Sequence, residues 1–267
     1  MLGDWKTLEL ERDGAVAVLR LDRPDVLNAM SPGLIDDIRE VLAVVNGDPQ
    51  LRALVMTGKG RAFCAGADLG AGMVGPGETL GDTIAESMDA RFNPLVREMQ
   101  SLRVPIIAAV NGVAAGGGVG LALSCDLVLA AQSASFKLVF APALGIVPDV
   151  GASYHLPHRV GRARALGLSL LGESLPAEKA EEWGLIWRCI PDDELMVTAL
   201  ELGHRLASGP TRAFVRLRSV FAAAELGDLD AQLDVEREAQ RELCNSSDFK
   251  EGVAAFLQKR RPNFEGR

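Results

Sequence analysis

Two short runs of small residues and one carboxylate are the parts of this chain suited to chemistry. The first run is Ala62-Phe63-Cys64-Ala65-Gly66-Ala67-Asp68-Leu69, placed just after a buried-strand pattern. A turn of small residues there lets a ligand approach the backbone closely, with N–H groups free to point outward. Taken alone, it reads more simply as a tight turn. The second run is Asn111-Gly112-Val113-Ala114-Ala115-Gly116-Gly117-Gly118-Val119-Gly120, which follows a strand pattern and opens a helical one. Free N–H groups and the positive end of a helix dipole converge at such a junction, which suits an anion or a developing oxyanion. It is not a P-loop, because no Gly-Lys-Ser/Thr is present. Nor is it a dinucleotide fingerprint, which counted from Gly116 would need glycine where Leu121 stands.

Acid–base groups near these runs are few. From Asn111 to Pro148 the only carboxylate is Asp126, at a strand start where a turn or capping role is the simpler reading. Asp149 comes next, in Gly145-Ile146-Val147-Pro148-Asp149-Val150-Gly151, just before a helical pattern running through Tyr154 and Leu156. An aspartate there has an ordinary alternative use as a helix N-cap. His155 and His158 stand three apart on that helix, a spacing able to bind metal, but no third ligand is evident. Cys64 flanks the first run without a histidine nearby in sequence to make a thiolate pair, so it reads as a small buried residue.

The elements around these residues follow from periodicity. Alternating runs Thr7–Leu10 and Ala15–Leu21 flank Asp13-Gly14 and predict a β-hairpin. Ser31-Pro32 predicts a helix start, with Leu34, Ile35, Ile38, Val41, Leu42 and Val45 as its apolar face and Asn46-Gly47 as its end. Ala53–Thr57, Pro105–Val110 and Asp126–Ala130 read as strands; Asp82–Leu102 and Gly116–Ser124 read as helices. That alternation implies crossover connections and parallel pairing, an α/β fold. From Val160 onward the pattern is helical apart from Leu185–Ile190. The Gly-rich stretch Gly70–Gly81 reads as a mobile lid over a site or, equally, as a surface insertion.

Composition narrows the field. The chain has 267 residues, 48% hydrophobic, with a net charge of −8, so a sizeable core is available and no basic face suggests nucleic-acid binding. Cys64, Cys125, Cys189 and Cys244 are far apart and form no Cys-x-x-Cys, which argues against a zinc cluster or a disulfide framework. The first ten residues carry no signal-like apolar run, and no segment reaches membrane-span length. The expectation is a cytoplasmic protein with no nucleic-acid or membrane partner, no metal and no separate cofactor.

Together, F-C-A-G-A-D-L and N-G-x-A-x-G-G-G closely resemble the two oxyanion-hole segments of the crotonase (enoyl-CoA hydratase/isomerase) superfamily. The resemblance continues through G-x-x-P at Gly145–Pro148, G-R-A-R-A-L-G-L at Gly161–Leu168, A-E-E-W-G-L-I at Ala180–Ile186 and F-L-Q-K-R at Phe256–Arg260, and so spans essentially the whole chain. It implies a ββα spiral core over residues 1–200 and a C-terminal helical region over 201–267. The helices from Pro210 to Leu257 would make a homotrimer or homohexamer. It implies an acyl-CoA thioester as substrate, with coenzyme A part of the substrate. The backbone N–H groups of Ala67 and Gly117 would stabilise a thioester enolate, each such donor being worth about 3 kcal/mol. Ala65 O matches the contact to the CoA adenine. Lys259 matches a lysine reaching the CoA phosphates from a neighbouring subunit, though a solvated surface charge is as good a reading. Asp68, Leu69, Gly116, Phe140 and Phe256 complete the expected substrate and CoA contacts.

The acid–base groups decide the reaction within this family. Hydratases there use two glutamates, one two residues after the Gly-Gly-Gly run and one in a Gln-Pro-Glu segment about twenty residues on. The first position here is Gly120, and Phe136–Ala143 holds no acid. Isomerases with one catalytic aspartate carry it in the Pro148-Asp149 context. The resemblance is strongest to the ring-epoxide isomerases of aerobic phenylacetate breakdown, through Asn93–Arg97, Asn111–Gly116, Pro148-Asp149 and Glu182–Trp187. The expected activity is therefore double-bond shift or epoxide-ring opening with Asp149 as the single acid/base, in phenylacetate or fatty-acid catabolism. The alternatives are a hydratase (a lyase) recruiting Glu78, Glu86 or another loop acid, and a non-catalytic scaffold binding acyl-CoA or RNA. Phe136–Gly145 reads one residue longer than in the isomerases, Pro142-Ala143 replaces a Ser-Lys-like pair, and Gly151-Ala152-Ser153 replaces a Gly-Gly-Thr/Ser-like turn. If the extra residue displaces Asp149, the isomerase expectation weakens.

Overall fold

The computed structural model of the protein describes residues 3–69 and 79–267. The Gly-rich stretch read as a lid or insertion falls mostly at 70–78, outside the described residues, as does Glu78.

The chain opens with the expected antiparallel hairpin, β1 (Leu8–Asp13) and β2 (Val16–Leu21); Asp13 still pairs with Val16, so the two-residue turn is Gly14-Ala15, one residue later than Asp13-Gly14. Helix α1 (Pro32–Gly47) follows; the Ser31 hydroxyl accepts from Leu34 N, and the six predicted apolar residues are all buried. Next come β3 (Ala53–Gly58), β4 (Ala62–Cys64), α2 (Leu80–Ser87) and α3 (Asn93–Ser101). The continuous helix expected over Asp82–Leu102 is thus divided by a π-turn at Met88–Phe92. Then β5 (Ile106–Val110), β6 (Val113–Ala115), α4 (Gly117–Leu123), β7 (Leu127–Ala131) and β8 (Ser135–Lys137) lead into a second π-turn at Phe140–Leu144. Helix α5 (Ala152–Leu171) contains Pro157 and is kinked at Gly161; β9 (Ser174–Pro176), α6 (Ala177–Glu182) and β10 (Arg188–Ile190) follow it. The chain closes with α7 (Leu195–Ala207), α8 (Thr211–Ala224), α9 (Leu229–Leu243) and α10 (Ser247–Leu257).

Two sheets result. One has the order β1-β2-β3-β5-β7-β10, parallel from β2 onward, and the other β4-β6-β8-β9. In the first, β5 is buried at every residue, as a parallel strand covered on both faces must be. Leu54 pairs with Ile106, and Ile107 with Leu127. The second sheet is not foreseen in the sequence. Its strands are three residues long, too short to show a period, and they are held by register with one another: Val113 with Ser135, Ser135 with Pro176.

Helix α7 lies across β2, β3, β5 and β7 with Leu195, Ala199, Gly203 and Ala207 buried. Residue 200, where the sequence reading divides core from tail, is inside this helix. The last three helices join the core through Arg218, whose guanidinium donates to both Asp126 oxygens at 2.6 Å and to the carbonyls of Gln100, Leu102 and Val104. Asp126 Oδ2 also accepts from Ile106 N at 2.7 Å, so this carboxylate is structural.

Candidate active site

Strand β4 delivers the first run and β5–β6 the second, so the parallel pairing of β4 with β6 sets the two side by side. Asn111 staples the junction: its Oδ1 accepts from Gly58 N at 3.0 Å and its Nδ2 donates to Gly60 O at 3.0 Å. The approach is close enough that a Cβ on Gly118 would fall 2.1 Å from Cys64 O, which explains glycine there. A Cβ on Gly66 would lie 3.1 Å from Gly117 N, so the two candidate oxyanion segments are in contact.

Met30 N donates to Gly66 O at 2.7 Å, and Asp68 N donates to Met30 O at 3.1 Å. In this parallel bridge Ala67 lies between the two bonded residues, so its own N–H faces away from Met30, and Ala67 is exposed. Gly117 is the first residue of α4, where N–H groups have no intrahelical partner, and Gly116 supplies no side-chain cap. Neither amide has a backbone hydrogen bond among the described residues, and that of Gly117 lies at the positive end of α4.

The loop beneath is fixed by residues the sequence reading did not single out. Asn28, fully buried at φ 56, donates to Lys59 O at 3.0 Å and Ala62 O at 2.8 Å and accepts from Arg23 N at 2.8 Å. Arg23 pairs with Asp68 at 2.9 Å, so that carboxylate, expected among the substrate contacts, is held by a guanidinium. No periodicity marks Asn28 or Arg23; only the Arg23-Pro24 turn hints at them.

Asp149 stands next to the amides. Its Oδ1 lies 3.5 Å from where a Cβ on Gly117 would be, which places it beside one of the two candidate oxyanion amides. It does not cap α5: Gly151 is the cap residue, with no side-chain cap bond. Its Oδ1 is buried and has no hydrogen-bond partner among the described residues. Burial raises its pKa from 3.8 to about 6, partly offset by its own backbone N–H. A carboxyl so placed titrates within the working range of a general base.

The two hydratase positions differ in kind. At Gly120 a Cβ would lie 2.3 Å from Val150 O, so no side chain fits in this backbone. Phe136–Ala143 carries no acid; Phe140 is 4% exposed in the core, and Val139 is the residue that comes near Gly116. Glu86 is exposed on α2.

The remaining expected contacts are distributed more widely. Ala65 is half-buried, with its carbonyl oxygen 3.9 Å from the Cβ position of Gly116, and Leu69 is exposed. Phe256, 83% exposed, lines a groove of about 980 Å³ between α8, α9 and α10, whose walls include none of the residues around Asp149. Lys259 follows it, exposed at φ 53. Burial lowers the pKa of His155 to about 4, and among the described residues no three His, Cys, Asp or Glu side chains are grouped to hold a metal. Cys64 is fully buried, its thiol pushed up to about 12. Among the described residues no helix is long and apolar enough to cross a membrane.

The fold and this pairing of amides with one carboxylate define a class, and comparison with known proteins gives it a family. The enoyl-CoA hydratase/isomerase family matches residues 11–267, and the chain belongs to it, the crotonase family. The chain is 45% identical over 252 residues to 1,2-epoxyphenylacetyl-CoA isomerase of Escherichia coli (strain K12), covering 94% of this chain and 95% of that protein. It is 42% identical to a probable enoyl-CoA hydratase of Rhodobacter capsulatus, over 98% of this chain and 99% of that one. A solved enoyl-CoA hydratase subunit from Geobacillus kaustophilus HTA426 superposes with a TM-score of 0.90 at 34% identity, covering 99% of this chain and 100% of that one.

Proposed function

We propose that the protein is an acyl-CoA isomerase in which Asp149 is the only acid/base. The carboxylate removes a proton from the acyl carbon beside or vinylogous to the thioester. The C–H electron pair then delocalises onto the thioester oxygen, where the N–H groups of Ala67 and Gly117 hold the charge. Asp149, now protonated, returns the proton to another carbon of the same dienolate, which shifts the double bond. With an epoxide-bearing acyl group, the same acid can protonate the ring oxygen as the C–O bond breaks.

The observation that carries this reading is the unpartnered, buried Asp149 oxygen beside Gly117. Hydration requires a second group to hold and activate water, and the blocked position at Gly120 weighs against one there. The 45% relative supports an aromatic-derived acyl group and a role in phenylacetate catabolism; the 42% relative's name favours the hydratase reading. An oligomer, trimer or hexamer, belongs to the same proposal. Leu226 in the turn between α8 and α9, Leu229 on α9, and Phe256 and Leu257 on α10 are each more than two-thirds exposed, a surface suited to a second copy and to bringing Phe256 and Lys259 to a neighbour's CoA.

Label transfer tests the single-carboxylate mechanism. A 3-enoyl-CoA deuterated at C2 is converted in ordinary water and the product analysed at C4. One carboxylate working on both carbons leaves deuterium at C4 well above solvent background. Complete washout, or water addition faster than isomerisation, would count against the proposal.

A further inference from the structure

Resting on the reading of Asp149 as base, we infer that Val150 is the residue that aims it. A catalytic carboxylate is ordinarily oriented by hydrogen bonds to one of its oxygens, yet Asp149 Oδ1 has no such partner among the described residues. Its own backbone N–H, which holds the pKa down a little, ties the carboxyl only to its own turn, so whatever holds that turn beside Gly117 sets its aim.

Val150 meets that need. It has φ 49, a left-handed conformation that a β-branched side chain disfavours strongly, and it is 2% exposed. Such a conformation persists only where the surroundings over-determine it. Here the surroundings are one face of α4. A Cβ on Gly117 would lie 3.0 Å from Val150 Cγ2, and a Cβ on Gly120 would lie 2.3 Å from Val150 O and 2.9 Å from Val150 Cβ. Residues 117 and 120 are three apart and so share a face of the helix. Their missing side chains make a notch, which Val150 fills with its side chain and its carbonyl, with Met30 Cε beside it 2.9 Å from the Gly117 Cβ position. Gly151 follows at φ 76, and Asp149 O accepts from Ala152 N at 2.8 Å, which fixes the far end of the turn.

The consequence is mechanical. Val150 cannot swing out of the notch without losing its packing on α4, and Asp149 is one peptide away. The contact that locates the carboxylate therefore also closes the Gly120 position against a side chain. One wedge sets both the aim of the base and the absence of a second acid. Val150 touches no reacting atom; it is a positioning residue.

The test compares Val150→Gly, Val150→Ala, Val150→Thr and Asp149→Asn on the same 3-enoyl-CoA, with a thermal melt of each. Glycine tolerates the left-handed conformation and empties the notch, so Val150→Gly is expected to fold. Its kcat should fall about thirtyfold with KM within about twofold, as for a misaimed base rather than lost substrate binding. The acid limb of its kcat/KM profile should move down towards the ordinary carboxylate range as Asp149 relaxes into water. Val150→Ala should fall between, and it serves if the glycine variant does not fold. Val150→Thr, of the same branched shape, should recover most of the rate. Wild-type kcat and pH profile in Val150→Gly or, failing that, in Val150→Ala would overturn the inference. So would a Val150→Thr variant as slow as the glycine one. If Asp149→Asn keeps full activity, the reading of Asp149 itself has failed; an inactive Asp149→Asn beside a fully active Val150→Gly removes only the inference about Val150.

Discussion

Replacing Gly120 with alanine adds one methyl group to α4 at a point that backbone already occupies. The new carbon would sit 2.3 Å from Val150 O and 2.9 Å from its carbonyl carbon, so the helix or the 149–151 turn must move. Alanine gains about 1 kcal/mol of helix propensity over glycine. Overpacking of this kind costs about 1–3 kcal/mol, and a backbone neighbour places it at or above the top of that range. The net expectation is a loss of about 2 kcal/mol. Gly167 is the internal control: it lies within α5 with nothing within 4 Å of its Cβ position, so Gly167→Ala should gain about 0.5–1 kcal/mol. Both variants are compared with wild type by urea unfolding at one protein concentration, since association would shift the midpoint. Because Gly120→Ala displaces Val150 and with it Asp149, its isomerase rate should also drop at least about tenfold; the rate of Gly167→Ala should not change. A Gly120→Ala protein as stable and active as Gly167→Ala would refute the packing argument.

Other outcomes follow from single groups. With the Asp149 carboxyl at about 6, kcat/KM should decline below that pH as the base becomes protonated in the free enzyme. The sign for stability is opposite to that of an ion-paired aspartate. The folded pKa lies above the unfolded 3.8, so the folded state holds its proton more tightly and stability falls as pH rises from about 3.8 to about 6. Asp149→Asn should therefore unfold later than wild type at neutral pH, by on the order of 1–2 kcal/mol, and show no such gain near pH 3. Arg218→Ala leaves several carbonyls without their donor and Asp126 with only Ile106 N, and should cost about 1–3 kcal/mol, with Arg218→Lys recovering little because an ammonium cannot reproduce the fork. Cys64, with its thiol pushed up to about 12 by burial, should resist iodoacetamide in the native protein and react in denaturant; ready native labelling would contradict its placement.

Where local pattern and burial coincide, the fold was legible in the residues. Ser31-Pro32 and six apolar positions specify α1 to the residue, and the continuous apolar run of β5 marks a strand covered on both faces. The second sheet was not legible, because strands such as β4 and β6 are held by partners distant in sequence rather than by any periodicity of their own. The π-turn inside the expected Asp82–Leu102 helix does have a local sign that the pattern reading passed over: Pro94 has no N–H to give Ala90 O, which accepts from Arg39 at 3.3 Å instead. The site divides along similar lines. Ala67, Gly117 and Asp149 could be singled out by motif, and an aspartate just before a helix has a capping role as its plain alternative; only the structure shows the cap at Gly151 and the carboxylate turned to Gly117. Val150 and Asn28 could not be found. A valine and an asparagine at left-handed φ look like any other valine and asparagine until the backbone is seen.

The most direct test of Asp149 as the single acid/base is a comparison of wild type with Asp149→Asn on a 3-enoyl-CoA and a 2-enoyl-CoA, following double-bond migration and water addition separately. The single-carboxylate account predicts that wild type isomerises and hardly hydrates, and that the variant, still folded, loses at least about a hundredfold in isomerisation rate. Efficient hydration by wild type, or an asparagine variant that isomerises at the wild-type rate, would contradict it.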